Sequence, residues 1–209
     1  MAIAALSNFT VPLASDQSAS SQGLLMPKLK YRFRITFENF GSGNSTTELT
    51  KQVAEAARPS VKFADQKIEI YNSVIHYAGK PAWDPISVKL RDDVTNAVTI
   101  LVGEQNQKQF DFFEQSSAAS AGDYKFTMRI EMLDGGNGTG TPTVLESWMC
   151  YGCYVVSTNY TDLKYSDQGP AMIDLSIQFD NAVQISPTNA LGAATAVQKF
   201  PGGTSVLGS

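Results

Sequence analysis

Strict alternation of apolar and polar residues is what most limits how this chain can fold. In KLKYRFRITF, Leu29, Tyr31, Phe33, Ile35 and Phe37 alternate with Lys28, Lys30, Arg32, Arg34 and Thr36. Successive side chains of a β-strand point to opposite faces, so the segment reads as a strand with one apolar and one charged face. Ile86, Val88 and Leu90 repeat the pattern against Ser87 and Lys89. So does the run Tyr124, Phe126, Met128, Ile130 and Met132. Ile173, Leu175, Ile177 and Phe179 repeat it against Asp174, Ser176, Gln178 and Asp180. A weaker strand is expected over 50–57, stopped by Arg58-Pro59. Residues 144–157 are apolar in both parities, with Met149, Tyr151 and Val155 on one and Trp148, Cys150 and Tyr154 on the other. Such a strand needs cover on both sides.

One extended stretch breaks the rule. In Val61–Tyr77, Val61 and Phe63 share one parity while Ile68 and Ile70 share the other. A phase flip inside one strand sends half of its apolar residues to the wrong face. Either a bulge near Ala64-Asp65-Gln66 resolves the flip, or the stretch is a hairpin arm that buries one face only on assembly.

The period changes after Asp92-Asp93. Val94, Val98, Leu101, Val102, Gln105 and Phe112 fall at three- and four-residue spacing, which predicts a helix over about 94–115, roughly 30 Å long. Acidic residues at its start suit the positive end of the helix dipole and can cap free amides. With about seven or eight strands, the fold class is mainly β, a barrel or sandwich with one flanking α-helix. The body is expected over 28–185. Residues 1–27 and 186–209, rich in Ala, Ser, Gly and Thr, read as an N-terminal and a C-terminal extension.

Composition narrows the function. There are 16 basic and 20 acidic residues, for a net charge of -4. Gripping nucleic acid relies on Lys and Arg neutralising phosphates, so a dedicated nucleic-acid binder is not expected. No apolar run is long enough for a membrane-spanning segment. The opening MAIAALSNFTVPLAS has no basic residue before Lys28, so no targeting peptide is expected.

Every candidate for chemistry has a stronger structural explanation. Cys150-Tyr151-Gly152-Cys153 has the spacing of a redox or zinc pair. In a regular strand, however, positions i and i+3 face opposite ways, and no second pair exists. His76, the only histidine, sits among strand-like residues. The loop Gly135-Gly136-Asn137-Gly138-Thr139-Gly140 lacks the Lys-Ser/Thr of a phosphate-binding loop and opens no helix. Asp92-Asp93 read as helix caps, and Trp83 and Trp148 as packing residues. No catalytic residue, metal or cofactor is expected, and the chain reads as a non-enzymatic, self-assembling β-rich subunit.

Taken in order, these elements resemble the inner tail-tube proteins of contractile-tailed bacteriophages. The resemblance runs from about Met26 to Gln184. It is carried by LMPKLKYRFRITFENFG, then TKQVAEAARPSVKFADQKIEIYNSVIHYAGKPAWDPISVKLRDD, then the helix, then CYGCYVVSTNYTDLKYSDQGPAMIDLSIQFDN. Val155 stands where many members carry a proline. The resemblance implies a tail-tube β-barrel that forms a homo-hexamer, with rings stacked inside a tail sheath between baseplate and terminator proteins. It implies a place in the virion and passage of DNA without specific binding. The arm residues Val61, Phe63, Ile68, Ile70, Tyr71, Ile75 and Tyr77 are then candidates for ring-to-ring contact. Sliding DNA requires an acidic or neutral lumen, with Glu55, Glu69, Glu131 and Asp174 as candidate contributors. Other readings are the inner tube of a contractile injection or secretion machine, and a carbohydrate-binding or capsid-decoration β-sandwich.

Overall fold

The computed structural model describes residues 27–42, 46–135 and 142–185. Both expected extensions, apart from Pro27, and Gly136–Gly140 of the glycine loop therefore lie outside the described residues. The chain divides into two compact units, Met1–Arg32 and Phe33–Ser209. In the described part of the first, the Arg32 amide donates to the Leu29 carbonyl at 3.2 Å, closing a turn. The expected opening strand thus forms only at β1, Phe33–Glu38.

Four further strands build the body of the second unit with β1: β5 (Ile86–Arg91), β8 (Phe126–Leu133), β9 (Val144–Tyr160) and β10 (Met172–Gln178). Short strands β2 (Val53–Ala56) and β11 (Asn181–Ile185) complete a seven-stranded sheet. Its hydrogen-bonded order is β1-β8-β9-β10-β5-β2, with β11 also on β9. All of these pairings are antiparallel. The seventeen residues of β9 serve both halves of the sheet. Its first part pairs with β8 and β11, and its last part with β10.

Alternation explains what the sheet encloses. Ile35 and Phe37 of β1, Phe126, Met128 and Ile130 of β8, Ile86, Val88 and Leu90 of β5, and Ile173, Leu175 and Ile177 of β10 form one buried cluster. Burying each such side chain stabilises by about 1.5–3 kcal/mol, so every alternating strand is held by its apolar face. Phe40 stacks edge-on against Phe126 with centroids 4.9 Å apart, and Phe37 lies 5.4 Å from Phe40.

Two expectations about helices change. The segment expected as a strand over 50–57 is a short helix, α1 (Thr47–Gln52), followed by β2. Leu49 anchors α1 in the core, and Lys51 pairs with Glu48 at 2.6 Å, a helical i,i+3 spacing. The long helix, α2, spans Ala97–Gln109 and is shorter than the 94–115 expected. Its start is set by Asp93, whose carboxylate accepts from the Ala97 amide at 3.2 Å. Asn96 there takes a left-handed φ of 57°, and Val94 is fully exposed. Its end is set by Asp111, whose carboxylate accepts from the Phe113 and Glu114 amides at 2.9 and 3.2 Å. A side chain that satisfies amides in this way competes with further helix. The chain turns instead into a small hairpin, β6 (Phe110–Asp111) with β7 (Ser116–Ser117), leaving Phe112 exposed. Tyr124, expected in a strand, ends the one-turn helix α3 (Ala121–Tyr124).

Helix α2 presents Val98, Leu101, Val102 and Gln105 to the core. Gln105 is completely buried because both ends of its amide are satisfied. Its oxygen accepts from the Gly41 amide at 2.9 Å, and its nitrogen donates to the Tyr124 carbonyl at 2.7 Å.

Candidate assembly surfaces

Val61–Trp83 is a hairpin arm, and the extra residue of its bulge falls on the returning strand opposite Ala64, so the phase flip between Phe63 and Ile68 remains. Its strands are β3 (Val61–Ile70) and β4 (Ser73–Trp83). The two strands pair only with each other, as a separate two-stranded sheet. Tyr71 turns the tip with a φ of 42°. Phe63 pairs with Pro81 but Asp65 pairs with Ala78, so β4 holds one residue more than β3 between those pairs. Gly79 sits in this bulge, and a Cβ there would come 2.9 Å from the Ala64 carbonyl oxygen. Only glycine permits that approach.

All seven candidate contact residues lie on this arm and are exposed: Val61, Phe63, Ile68, Ile70, Tyr71, Ile75 and Tyr77. Ile68 stands opposite Ile75 and Gln66 opposite Tyr77, so Ile68, Ile70, Ile75 and Tyr77 share the outer half of one face. The other face carries Asp65, Lys67, Glu69, His76 and the exposed Val74 at the same level. The His76 ring Nδ1 lies 3.1 Å from both carboxylate oxygens of Asp65. A lone two-stranded ribbon is marginal in water, so an arm bearing this much apolar surface calls for a partner.

The four candidate acids do not form one strip. Glu69 is on the arm. Glu131 is buried on β8, with Arg34 of β1 at 2.7 Å and Arg129 at 4.0 Å. Glu55 and Asp174 do come together, around Lys89. Lys89 is the strand partner of both, and its ammonium is 3.0 Å from the Glu55 carboxylate. The Glu55 hydrogen bond and charge, followed by the Asp174 charge, raise the Lys89 pKa above its ordinary value. Arg129 and Glu38 approach at 3.8 Å on the outward side of β8 and β1. On the outward sheet faces, Glu38, Glu55 and Glu131 are thus each set against a base on the same or a neighbouring strand, while one carboxylate oxygen of Asp174 is buried without a hydrogen-bond partner.

The cysteine pair departs from its expected geometry. Gly152, at a φ of 65°, shifts the phase of β9 and turns both Cys150 and Cys153 into the core. The Cys153 thiol donates to the Cys150 carbonyl at 3.3 Å. Burial pushes both thiols from 9.0 up to about 12. A thiol held neutral is neither a good nucleophile nor a ready ligand. Among the described residues, no group of three or more His, Cys, Asp or Glu is placed to hold a metal ion. Trp83 packs on Phe179 with centroids 5.4 Å apart, and Trp148 donates to Glu146 at 2.7 Å. Both are packing residues. Sequence reading missed the exposed Phe110 and Phe113 of the β6–β7 hairpin, although FDFFEQ hinted at a turn through its Asp.

Comparison with known proteins places this architecture. No family model matches the sequence, and no curated protein does. Solved structures do match. One is a chain of the anti-feeding prophage cap, described as a tube terminating cap, with a TM-score of 0.59 and 14% identity over 82% of this chain and 99% of that one. Another belongs to the sheath-tube complex of an extracellular contractile injection system, at 0.54 and 11% over 83% and 99%. A third is from the six-fold symmetrised anti-feeding prophage baseplate, at 0.56 and 10% over 78% and 98%. The chain has the tail-tube fold. The expected fold class stands, with α1 and α3 added to the one expected helix. The tail-tube body accounts for nearly the whole of each matched chain, and about a fifth of this chain lies beyond it.

Proposed function

We propose that this chain is a structural protomer of the inner tube of a contractile tail, forming hexameric rings that stack inside a sheath. The observation that carries the reading is the combination of a tail-tube body with a solvent-exposed apolar arm. Open sheet edges supply the second contact. In the hydrogen-bonded order, β1 and β2 stand at the two ends of the sheet. Edges of this kind invite pairing, and a head-to-tail contact between copies closes a ring while axial stacking stays open-ended. The arm residues Val61 to Tyr77 are the proposed ring-to-ring contact. The outward faces carrying Glu55, Glu131 and Asp174 are the proposed lumen lining. Glu55 is matched by Lys89 and Glu131 by Arg34 and Arg129, which supports a near-neutral wall where a polyanion finds few unpaired cations.

In a phage, the cargo is DNA, the partners are sheath, baseplate and terminator, and the place is the virion, assembled in the host cytoplasm. A second reading, a tube that moves protein, is favoured by one matched structure, which is described as an extracellular contractile injection system. Negative-stain microscopy of the purified full chain tests the shared core of both readings. Six-fold rings or tubes support it, and a monomer at high concentration refutes it. The nucleic acid or protein recovered from particles made in the native host separates the two.

A further inference from the structure

The arm leaves the body at one end of the β5–β10 ladder. That ladder runs from Ile86 opposite Ile177 to Arg91 opposite Met172, and the arm ends at Trp83, just before Ile86. Every residue of β3 is exposed, so the arm stands clear of the body. Two segments meet at the other end of the ladder, the turn 92–96 after β5 and the loop 161–171 between β9 and β10. The Asp92 amide donates to the Ala171 carbonyl at 2.9 Å, and the Thr161 amide to the Met172 carbonyl at 3.1 Å. Val94, Leu163 and Tyr165 in these segments are almost wholly exposed. The loop also lines an open cleft of about 620 Å³. Exposed apolar side chains gathered in this way call for a partner. At the arm's tip, Tyr71 is fully exposed and takes a φ of 42°. That φ strains a bulky residue and suits glycine, so the turn itself does not require a tyrosine.

We infer that the tip of the arm, led by Tyr71, docks on Val94, Leu163 and Tyr165 of a copy in the next ring. This rests on the tube reading and deepens it by naming what covers the arm. Copies in one tube are related by rotation about a single axis and translation along it, so every arm points the same way. An arm that reaches the next ring meets the opposite end of a copy there, and the contact is heterologous. The exposed Phe112 and Phe113 do not offer a receptor at that end. The adjoining Gln109 donates to the Val155 carbonyl, and Val155 pairs with Ile177 at the arm's own end of the ladder. Charge does not oppose the docking. From Lys62 to Asp84 the arm holds three lysines and three acids. Lys62 pairs with Asp84 at 2.9 Å, Asp65 faces His76, and Glu69 stands opposite Val74 on the face that also carries Lys67. The receiving end sets Asp92, Asp93, Asp162 and Asp167 against Arg91 and Lys164. A balanced arm thus meets a weakly acidic surface, and apolar cover drives the contact.

The test is thiol cross-linking of the full chain. Asn72→Cys at the tip and Ser166→Cys in the loop are exposed positions that leave the apolar residues in place. They lie at opposite ends of one copy, so a short bismaleimide cannot bridge them within it. Cys150 and Cys153 are buried and stay silent. The expected result is a ladder of covalent oligomers from the double variant and little product from either single variant. Covalent dimers from one single variant would mean that like segments meet and would overturn the inference. Intact tubes with no ladder would also overturn it while leaving the tube reading in place. Failure of the unmodified chain to form rings or tubes would remove both. Two further variants give an independent readout. Tyr71→Gly, and Leu163→Ser with Tyr165→Ser, should each leave thermal unfolding of the protomer unchanged and yield rings without tubes in micrographs. Tubes of ordinary length from either would count against the docking.

Discussion

Gly152 carries more consequence than any other single backbone position in β9. Its left-handed φ lets the strand change phase, and the Asp180 carboxylate occupies the space a Cβ would need. Asp180 in turn pairs with Lys125 at 2.7 Å, which raises the lysine pKa. Gly152→Ala should cost about 1–3 kcal/mol through backbone strain and displacement of that pair, read as a lower urea midpoint with an unchanged slope. The thiols that Gly152 turns inward give a second check. Their folded pKa values, near 12, lie above the unfolded value of 9.0. The unfolded chain therefore binds fewer protons above pH 9, and stability should fall as pH rises from about 9 toward 12. Replacing both cysteines by alanine should flatten that fall. In the native protein at pH 8, iodoacetamide should label neither thiol until denaturant is added.

The elements differ in how far the sequence foretold them. Strands β5, β8 and β10 were legible because one apolar face against a common core enforces strict alternation. The arm was legible as a conflict of phase, and the structure keeps that conflict: the bulge adds its extra residue to β4, so Val61 and Phe63 stay on the face opposite Ile68 and Ile70. Helix α1 was missed because its only buried residue is Leu49, so six residues carry no readable period. The ends of α2 were misplaced because side-chain caps decide them: Asp93 and Asp111 satisfy amides that periodicity does not see. Gln105 fitted the helical spacing, but its role as a cross-link between Gly41 and Tyr124 depends on segments 64 and 19 residues away. Gln105→Leu should strand the Gly41 amide and the Tyr124 carbonyl and cost about 2–3 kcal/mol. The candidate assembly surfaces were half legible. Exposed apolar residues signal a partner, but the pairing of Glu55 and Asp174 around Lys89 needed the strand register.

At the scale of the molecule, the core and the proposed assembly surface draw on different residues. Core residues such as Ile35, Val88 and Leu175 have no exposure to spend on a partner, whereas Ile68 and Ile75 contribute nothing to the core. Ile68→Ser with Ile75→Ser should leave thermal unfolding of the isolated protomer nearly unchanged and abolish rings or tubes in micrographs. Loss of both stability and assembly in that variant would contradict the division.

Strand β9 gives the molecule a mechanical property. One unbroken backbone passes from the β8–β11 half of the sheet to the β10 half, so a pull that separates the halves is borne by covalent bonds along the strand as well as by the ladders beside it. A subunit built around such a tie-rod yields as one piece under load, which suits the proposed role as a tube wall.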